Sequence, residues 1–253
     1  MPFIRTLSGL ILLLHVSLLH AATLSVATAS NFSETLKLLA PLFQQASGHE
    51  LRISAASSGK LYAQIRHGAP YDLFFSADAA RPIALEQEGL SLMGSRLTYA
   101  VGQLALWAPG ATGQANIKKR LENGDFRQLA MANPKTAPYG LAAMESLKTL
   151  NLWTALSDAT ARGENIGQAY QFVATGNADI GFVALTQLRQ AKIDPKQYWI
   201  IPQQFHQPIM QQAVILSSSS KQQAAKAFLN FIRTADAATI LQESGYQLGD
   251  VSE

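Results

Sequence analysis

Short apolar runs alternate with stretches whose apolar positions recur every three or four residues, and this alternation repeats along most of the chain. In SVATASNFSETLKLLAPLF, residues 25–43, Ser25–Thr28 reads as a short strand. Phe32, Leu36, Leu39 and Phe43 then fall at steps of four, three and four, which is one face of a helix. Ser30 and Asn31 stand between the two, where helix-capping residues are expected. Pro41 should bend this helix and Gly48 should end it. Leu51–Ala55 reads as a second strand, followed by a turn over 56–59 and a short helix to His67 with Leu61 and Ile65 facing inward. Tyr71–Ser76 is a third strand, and Ser76 and Asp78 are the expected caps of a helix beginning at Arg81-Pro82. Strand followed by helix, three times over, predicts an α/β fold with parallel strands.

Arg96–Trp107 is too long for one ordinary strand, and Gly102 at its middle predicts a strand that leaves one domain and enters a second. There the pattern resumes: strand at Gln128–Ala132, loop at Asn133–Tyr139, helix at Gly140–Leu150, a further helix after Asn165-Ile166-Gly167, and strands at Ile180–Leu185 and Tyr198–Pro202. Ile209–Leu216 is a second long apolar run and carries the chain back. Helices over Ser220–Thr234 and Asp236–Glu243, the latter capped by Asp236, then complete the first domain. Two crossings predict a hinged pair of lobes facing a cleft, with residues 22–101 and 212–253 in lobe I and 102–211 in lobe II.

Residues 1–21 depart from this pattern. Arg5 is their only charge and Leu7–Leu19 is almost wholly apolar, ending in Leu-His-Ala before Ala22. That is a cleavable secretory signal, too short in its apolar part to span a bilayer, and it predicts a periplasmic protein. The 20 Lys and Arg against 17 Asp and Glu are too evenly balanced for a nucleic-acid or anionic-membrane partner. The absence of Cys means no disulfides, and no thiol for a lipid anchor at the cleavage site.

Four strand-to-helix turns carry the candidate chemistry: Ser30-Asn31, Ser57-Ser58-Gly59, Pro138-Tyr139-Gly140 and Asn165-Ile166-Gly167. The first N–H groups of a helix lack internal partners, and the backbone dipole adds partial positive charge there. Ligands of open α/β sheets sit beyond the carboxyl ends of the strands. With two turns in each lobe, closing the cleft would gather four helix N-termini around a small tetrahedral dianion, held by backbone N–H groups and serine hydroxyls. Ser57-Ser58-Gly59-Lys60 also matches the S-x-x-K of serine β-lactamases, but the accompanying S-D-N and K-T-G elements are missing. It is not a phosphate loop either, because Ser54 and Leu61 stand where Gly and Ser or Thr are required. Lys60 reads as a solvated first-turn residue. His49, His67 and His206 lack metal-ligand spacing and read as surface residues, while Asp72 and Asp78 read as a strand-edge residue and a cap rather than a catalytic pair.

The segments VATASNF, SAASSGKLYAQI, GAPYDLFFSAD, ANPKTAPYGLA and NIGQAYQFVATGNADIGFVAL together resemble the molybdate-binding proteins of bacterial ABC importers, which are type II periplasmic binding proteins. The resemblance runs along essentially all of the chain after the leader. It implies two lobes, each a mixed, mostly parallel sheet flanked by helices, joined by two crossing strands. It further implies a monomer that binds molybdate or tungstate and delivers it to a membrane permease, with no catalysis and no cofactor. By position, the expected contacts are the hydroxyl and amide of Ser30, the amide of Asn31, Ser58, and the amides of Tyr139 and Ile166. A tyrosine that one branch of the family adds is replaced here by Ala184. Binding proteins of the same fold for sulfate, phosphate or iron are the rival readings. The effector-binding half of LysR-type regulators shares the fold, but a signal peptide stands where its helix-turn-helix would be.

Overall fold

Burial along each strand sets its place in a sheet. The computed structural model describes residues 21–248, so the expected leader falls, except for Ala21, outside the described residues. In chain order the elements are β1 (Thr23–Ala29), α1 (Ser33–Ser47), β2 (Glu50–Ala56), α2 (Ser58–Arg66), β3 (Leu73–Ser76), α3 (Ala80–Gln87), β4 (Leu97–Gly102) and β5 (Leu104–Trp107). They continue with α4 (Gln114–Asn123), β6 (Leu129–Ala132), α5 (Pro138–Thr149), α6 (Trp153–Leu156), β7 (Thr160–Gly163), α7 (Ile166–Ala174) and β8 (Ile180–Ala184). The last are α8 (Leu185–Gln190), β9 (Tyr198–Ile200), β10 (Ile209–Ile215), α9 (Gln222–Ile232) and α10 (Ala235–Glu243). β1 is buried along all but its first residue and β3 throughout, whereas no residue of β2 is fully buried. Strands buried on both faces belong inside a helix-covered sheet, and the first sheet has the order β2-β1-β3-β10-β4. In the second, β7-β6-β8-β5-β9, the wholly buried β6, β8 and β5 are again internal.

β1 pairs parallel with β2 and β3, and β6 pairs parallel with β7 and β8. Every antiparallel pair of strands involves β10 or β5, each of which follows a passage between the sheets. β4 ends at Gly102 and β5 begins at Leu104, so a single residue separates the two sheets on the outward crossing. On the return, Ile209–Gln211 pair with Gly102, Val101 and Ala100 in the first sheet, and a bulge follows between Gln211 and Gln212.

Each sheet is covered on both faces. Phe32, Leu36, Leu39 and Phe43 of the first turn and α1 pack with Phe75, Tyr99 and Phe228 under α9 and α10, with the Phe32 ring 5.5 Å from Phe75 and 4.8 Å from Tyr99. Leu61, Ile65, Phe74 and Leu85 fill the opposite face. α1 runs through Pro41, which lies on its exposed side, and ends at Gly48 with φ 74°. At that φ a side chain other than glycine is strained.

Several local expectations are corrected. Ser30 and Asn31 do not cap α1. It begins at Ser33 with no side-chain cap, because both residues' side chains are engaged elsewhere. Thr234, not Asp236, caps α10 by accepting the Ala237 N–H at 3.4 Å. Asp78 accepts the Arg81 N–H at 3.0 Å, whereas Ser76 donates to Asp78 and caps nothing. α4, α6, β7 and α8 were not anticipated, and Leu185, expected to end the β8 strand, instead begins α8. α4 buries only Ile117 and Leu121, and β7 reads Thr-Ala-Arg-Gly, so neither carries an apolar period. His206 is buried, not superficial, its Nδ1 2.7 Å from the Gln207 carbonyl oxygen.

Asp72 is more than a strand-edge residue. It is buried and accepts the Ser25 N–H at 2.7 Å and the Ser219 hydroxyl at 2.7 Å, and it pairs with Lys221 at 3.2 Å. Burial opposes its ionisation, but the Ser219 hydroxyl, the Ser25 N–H and the Lys221 ammonium outweigh that and hold the carboxyl below its usual range. A depressed carboxyl contributes stability that is complete above the unfolded-state value, near ~4, and disappears as pH falls through the folded value. Asp72→Asn should therefore lower the thermal midpoint at neutral pH and flatten its decline below about pH 4, as acid-unfolding curves of the two proteins would show.

Candidate functional site

Three helix N-termini and one pre-helical turn, rather than four helix N-termini, meet between the sheets. α2 starts at Ser58, α5 at Pro138 and α7 at Ile166, while Ser30 and Asn31 lie in a turn that precedes α1. Each helix begins for a local reason. Ser57 accepts the Lys60 N–H at 3.4 Å, Pro138 occupies the first-turn position that tolerates its missing N–H, and Asn165 accepts the Gln168 N–H at 3.1 Å. These turns line a small cavity, together bringing to it Ser30, Asn31, Ser57, Ser58, Pro138, Tyr139, Asn165, Ile166 and the alanines Ala29, Ala56, Ala77 and Ala137. All five residues singled out from the sequence, Ser30, Asn31, Ser58, Tyr139 and Ile166, lie on this one cavity. The sequence reading did not anticipate the four alanines, whose small side chains let backbone N–H groups approach the enclosed space.

The donors can be followed atom by atom. Among the described residues, the backbone N–H groups of Asn31, Ser58, Tyr139 and Ile166 have no protein acceptor, whereas the Ser30 N–H, also expected at the ligand, instead donates to the Ala56 carbonyl at 3.0 Å across the β1–β2 edge. Asn31, Ser58, Tyr139 and Ile166 are all nearly inaccessible, and an unpaired polar group in such a place requires a partner. The Ser58 hydroxyl accepts the Ala77 N–H at 3.0 Å, and the Ser30 hydroxyl accepts the Gly167 N–H at 3.3 Å. Each hydroxyl thus accepts one hydrogen bond and still has its own proton to donate. No lining residue carries a charged side chain. The electrostatic potential there comes from helix ends and oriented amides.

The two lobes are in contact around this cavity. The Gly59 N–H donates to the Thr136 carbonyl at 2.9 Å, the Thr186 hydroxyl donates to the Asn31 carbonyl at 3.1 Å, and the Ser30–Gly167 bond also spans the cleft. Lys60, expected as a merely solvated residue, meets Glu164 across the cleft at 3.5 Å, with both side chains largely exposed. A pair so exposed contributes little to stability. Because Ser57 caps α2 and the Lys60 ammonium points to Glu164, the S-x-x-K match is not assembled as a nucleophile and its base. The Tyr139 hydroxyl is not a site group either. It is buried on the hinge side, against the place a side chain at Gly102 would occupy, and burial raises its pKa well above the ordinary tyrosine value. Among the described residues no group of His, Asp or Glu could hold a metal ion, and no helix is long and apolar enough to cross a membrane.

The family model for bacterial extracellular solute-binding proteins matches residues 24–247. The molybdate-binding protein ModA of Azotobacter vinelandii is 40% identical over 250 residues, covering 96% of this chain and 98% of its own length. ModA of Rhodobacter capsulatus is 39% identical over 226 residues, covering 89% and 88%. The solved periplasmic molybdate-binding protein of A. vinelandii superposes with a TM-score of 0.85 at 41% identity, covering 90% of this chain and all of that one. These similarities extend across both sheets and every turn of the cavity, and the chain belongs to the bacterial extracellular solute-binding proteins, within the family of the ModA proteins.

Proposed function

We propose that the protein captures molybdate, and tungstate equally, in the cavity between its lobes, and delivers it in the periplasm to the membrane permease of an ABC importer. It acts as a monomer, without catalysis and without a cofactor. The observation that carries this reading is the convergence of four unpaired N–H groups and two serine hydroxyls, drawn from both lobes, on one uncharged cavity. Molybdate is a tetrahedral dianion whose oxygens only accept hydrogen bonds, and each donor here offers only a proton. An oxyanion carrying its own O–H, such as hydrogen phosphate, would bring a donor into a site whose lining has no carboxylate to accept it. Sulfate, smaller and also acceptor-only, is discriminated by the size of the cavity alone.

Calorimetric titration with molybdate, tungstate, sulfate and phosphate tests the reading. The first two should bind tightly and alike, and the last two much more weakly. Sulfate binding as tight as molybdate binding would overturn it.

Individual donors can be deleted. Ile166 is the first residue of α7 and follows an extended Asn165 (φ −148°, ψ 173°), so proline fits the backbone there while removing the N–H. Ile166→Pro should weaken molybdate binding about ten- to a hundredfold, and so should Ser30→Ala, since a hydrogen bond to a charged group contributes roughly 1.5–3 kcal/mol. Ile166→Val, which keeps the N–H, should bind within about threefold of the parent protein.

A further inference from the structure

Behind the cavity, Asn31 is held by a buried polar cluster that no pattern in the sequence announces. Its side-chain amide donates to the Gln211 Oε1 at 2.8 Å and to the Tyr246 hydroxyl at 2.9 Å, and the Tyr246 hydroxyl in turn lies 3.1 Å from the Asn31 carbonyl, to which it can donate. Asn31, Gln211 and Tyr246 are 4%, 0% and 3% exposed, so this network is cut off from water. Buried networks of this kind hold one geometry, because a rearrangement would leave the Asn31 amide protons or the Gln211 oxygen unpaired away from water.

Both partners sit where the chain passes between lobes. Gln211 lies on β10 next to the bulge, donates to the Ile209 carbonyl at 3.1 Å, and has its amide close to the place a side chain at Gly102 would fill. Tyr246 lies on the segment after α10, which returns to the outward crossing. Gln247 exchanges backbone bonds of 2.7 and 3.0 Å with Val101, and the Gly245 carbonyl accepts from the Gln103 side chain at 2.8 Å.

We propose that Gln211 and Tyr246 are positioning residues of the oxyanion site, holding Asn31 from behind so that its backbone N–H faces the cavity and tying that donor to the two hinge crossings. The proposal rests on the reading of this cavity as the oxyanion site. Neither residue touches the ligand. Their contribution is the direction of the Asn31 N–H, and loss of it should shorten the lifetime of the closed complex.

Tyr246→Phe keeps the ring, which lies 5.8 Å from Phe32, and removes only the hydroxyl. Tyr99→Phe is the control, because the Tyr99 ring packs on the same Phe32 at 4.8 Å and its buried hydroxyl has no hydrogen-bond partner among the described residues. Molybdate affinity, dissociation rate, the thermal midpoint of the ligand-free protein and the amide NMR signals of Asn31 and Ile166 would be measured for the parent and both variants. Tyr246→Phe should bind about tenfold more weakly through faster dissociation. The shift of its Asn31 amide signal on adding molybdate should be attenuated while that of Ile166 persists. Tyr99→Phe should match the parent in affinity, dissociation rate and both amide shifts, with a ligand-free midpoint that holds or rises as an unpartnered buried hydroxyl is removed. Should Tyr246→Phe not fold, Gln211→Met, which removes the acceptor for the Asn31 side chain, carries the same test. Unchanged affinity, or weaker affinity matched by a lower ligand-free midpoint with a normal Asn31 shift, overturns the positioning role. A parent protein that does not bind molybdate overturns the reading of the cavity, and this proposal with it.

Discussion

A Ser58→Asp protein should fold as well as the parent and bind molybdate at least about a thousandfold more weakly. Folding is spared because residue 58 is the first of α2, where a carboxylate is favoured by the helix dipole and can accept the Ala77 N–H as the serine oxygen does. Binding is lost because the same carboxylate faces the space of a dianion. Two like charges about 4 Å apart repel by roughly 4 kcal/mol at an effective dielectric constant near 20, and molybdate carries two. Ser58→Ala, which removes one donor and adds no charge, should lose only about ten- to a hundredfold. Calorimetry of both variants beside thermal unfolding without ligand separates the effects. Molybdate binding by Ser58→Asp within tenfold of the parent would place the anion somewhere else.

The second large effect is expected from a methyl group that touches no ligand. A Cβ at Gly59 would lie 2.9 Å from the Thr136 carbonyl oxygen and 3.1 Å from its Cα, both backbone atoms of the opposite lobe. Gly59 is also the donor of the 2.9 Å bond to that carbonyl. Gly59→Ala should therefore hold the lobes apart, at about 1–3 kcal/mol for an overpacked contact, and weaken molybdate about ten- to a hundredfold. In the open protein the Thr136 contact is gone, the Arg81 side chain 3.0 Å from the added methyl is flexible enough to turn aside, and alanine is at least as good as glycine in the first turn of α2. The ligand-free thermal midpoint should thus hold or rise while affinity falls. X-ray scattering should show the parent contracting with molybdate and Gly59→Ala contracting less. Full contraction and full affinity in the variant would mean that the cleft closes by another contact.

The α/β repeat was legible because the apolar positions of the principal elements carry it. The four-three-four spacing of Phe32, Leu36, Leu39 and Phe43 is the inward side of the first turn and α1, and all four are buried. The crossing at Gly102 was legible from a single glycine inside a twelve-residue apolar run. What escaped had too few apolar residues to show a period, as in the polar α4 and in β7. The cavity was read from turns, and all five expected residues do line it. Yet Asn31 lies there for a different reason than capping. Its side chain turns inward to Gln211 and Tyr246, 180 and 215 residues away in sequence, and no local pattern can announce such a pairing. The buried His206 and the cross-cleft partner of Lys60 were hidden in the same way, by neighbours that only folding supplies.

The order β2-β1-β3-β10-β4 also bears on the order in which the two sheets can close. β4 pairs in its sheet only with β10, and Gln212 of β10 reaches Thr98 of β4 across 114 residues. Until β10 docks, β4 has no neighbour in the sheet to receive it. The second sheet draws all its strands from one uninterrupted stretch between Leu104 and Ile200. It can form while the first is still incomplete. Long-range closure of this kind is slow, because the entropy of the loop is lost before the contacts that reward it are made. The half that carries Ser30 and Ser58 is therefore expected to close last, and the folding chain should not grip an anion until β10 lies between β3 and β4.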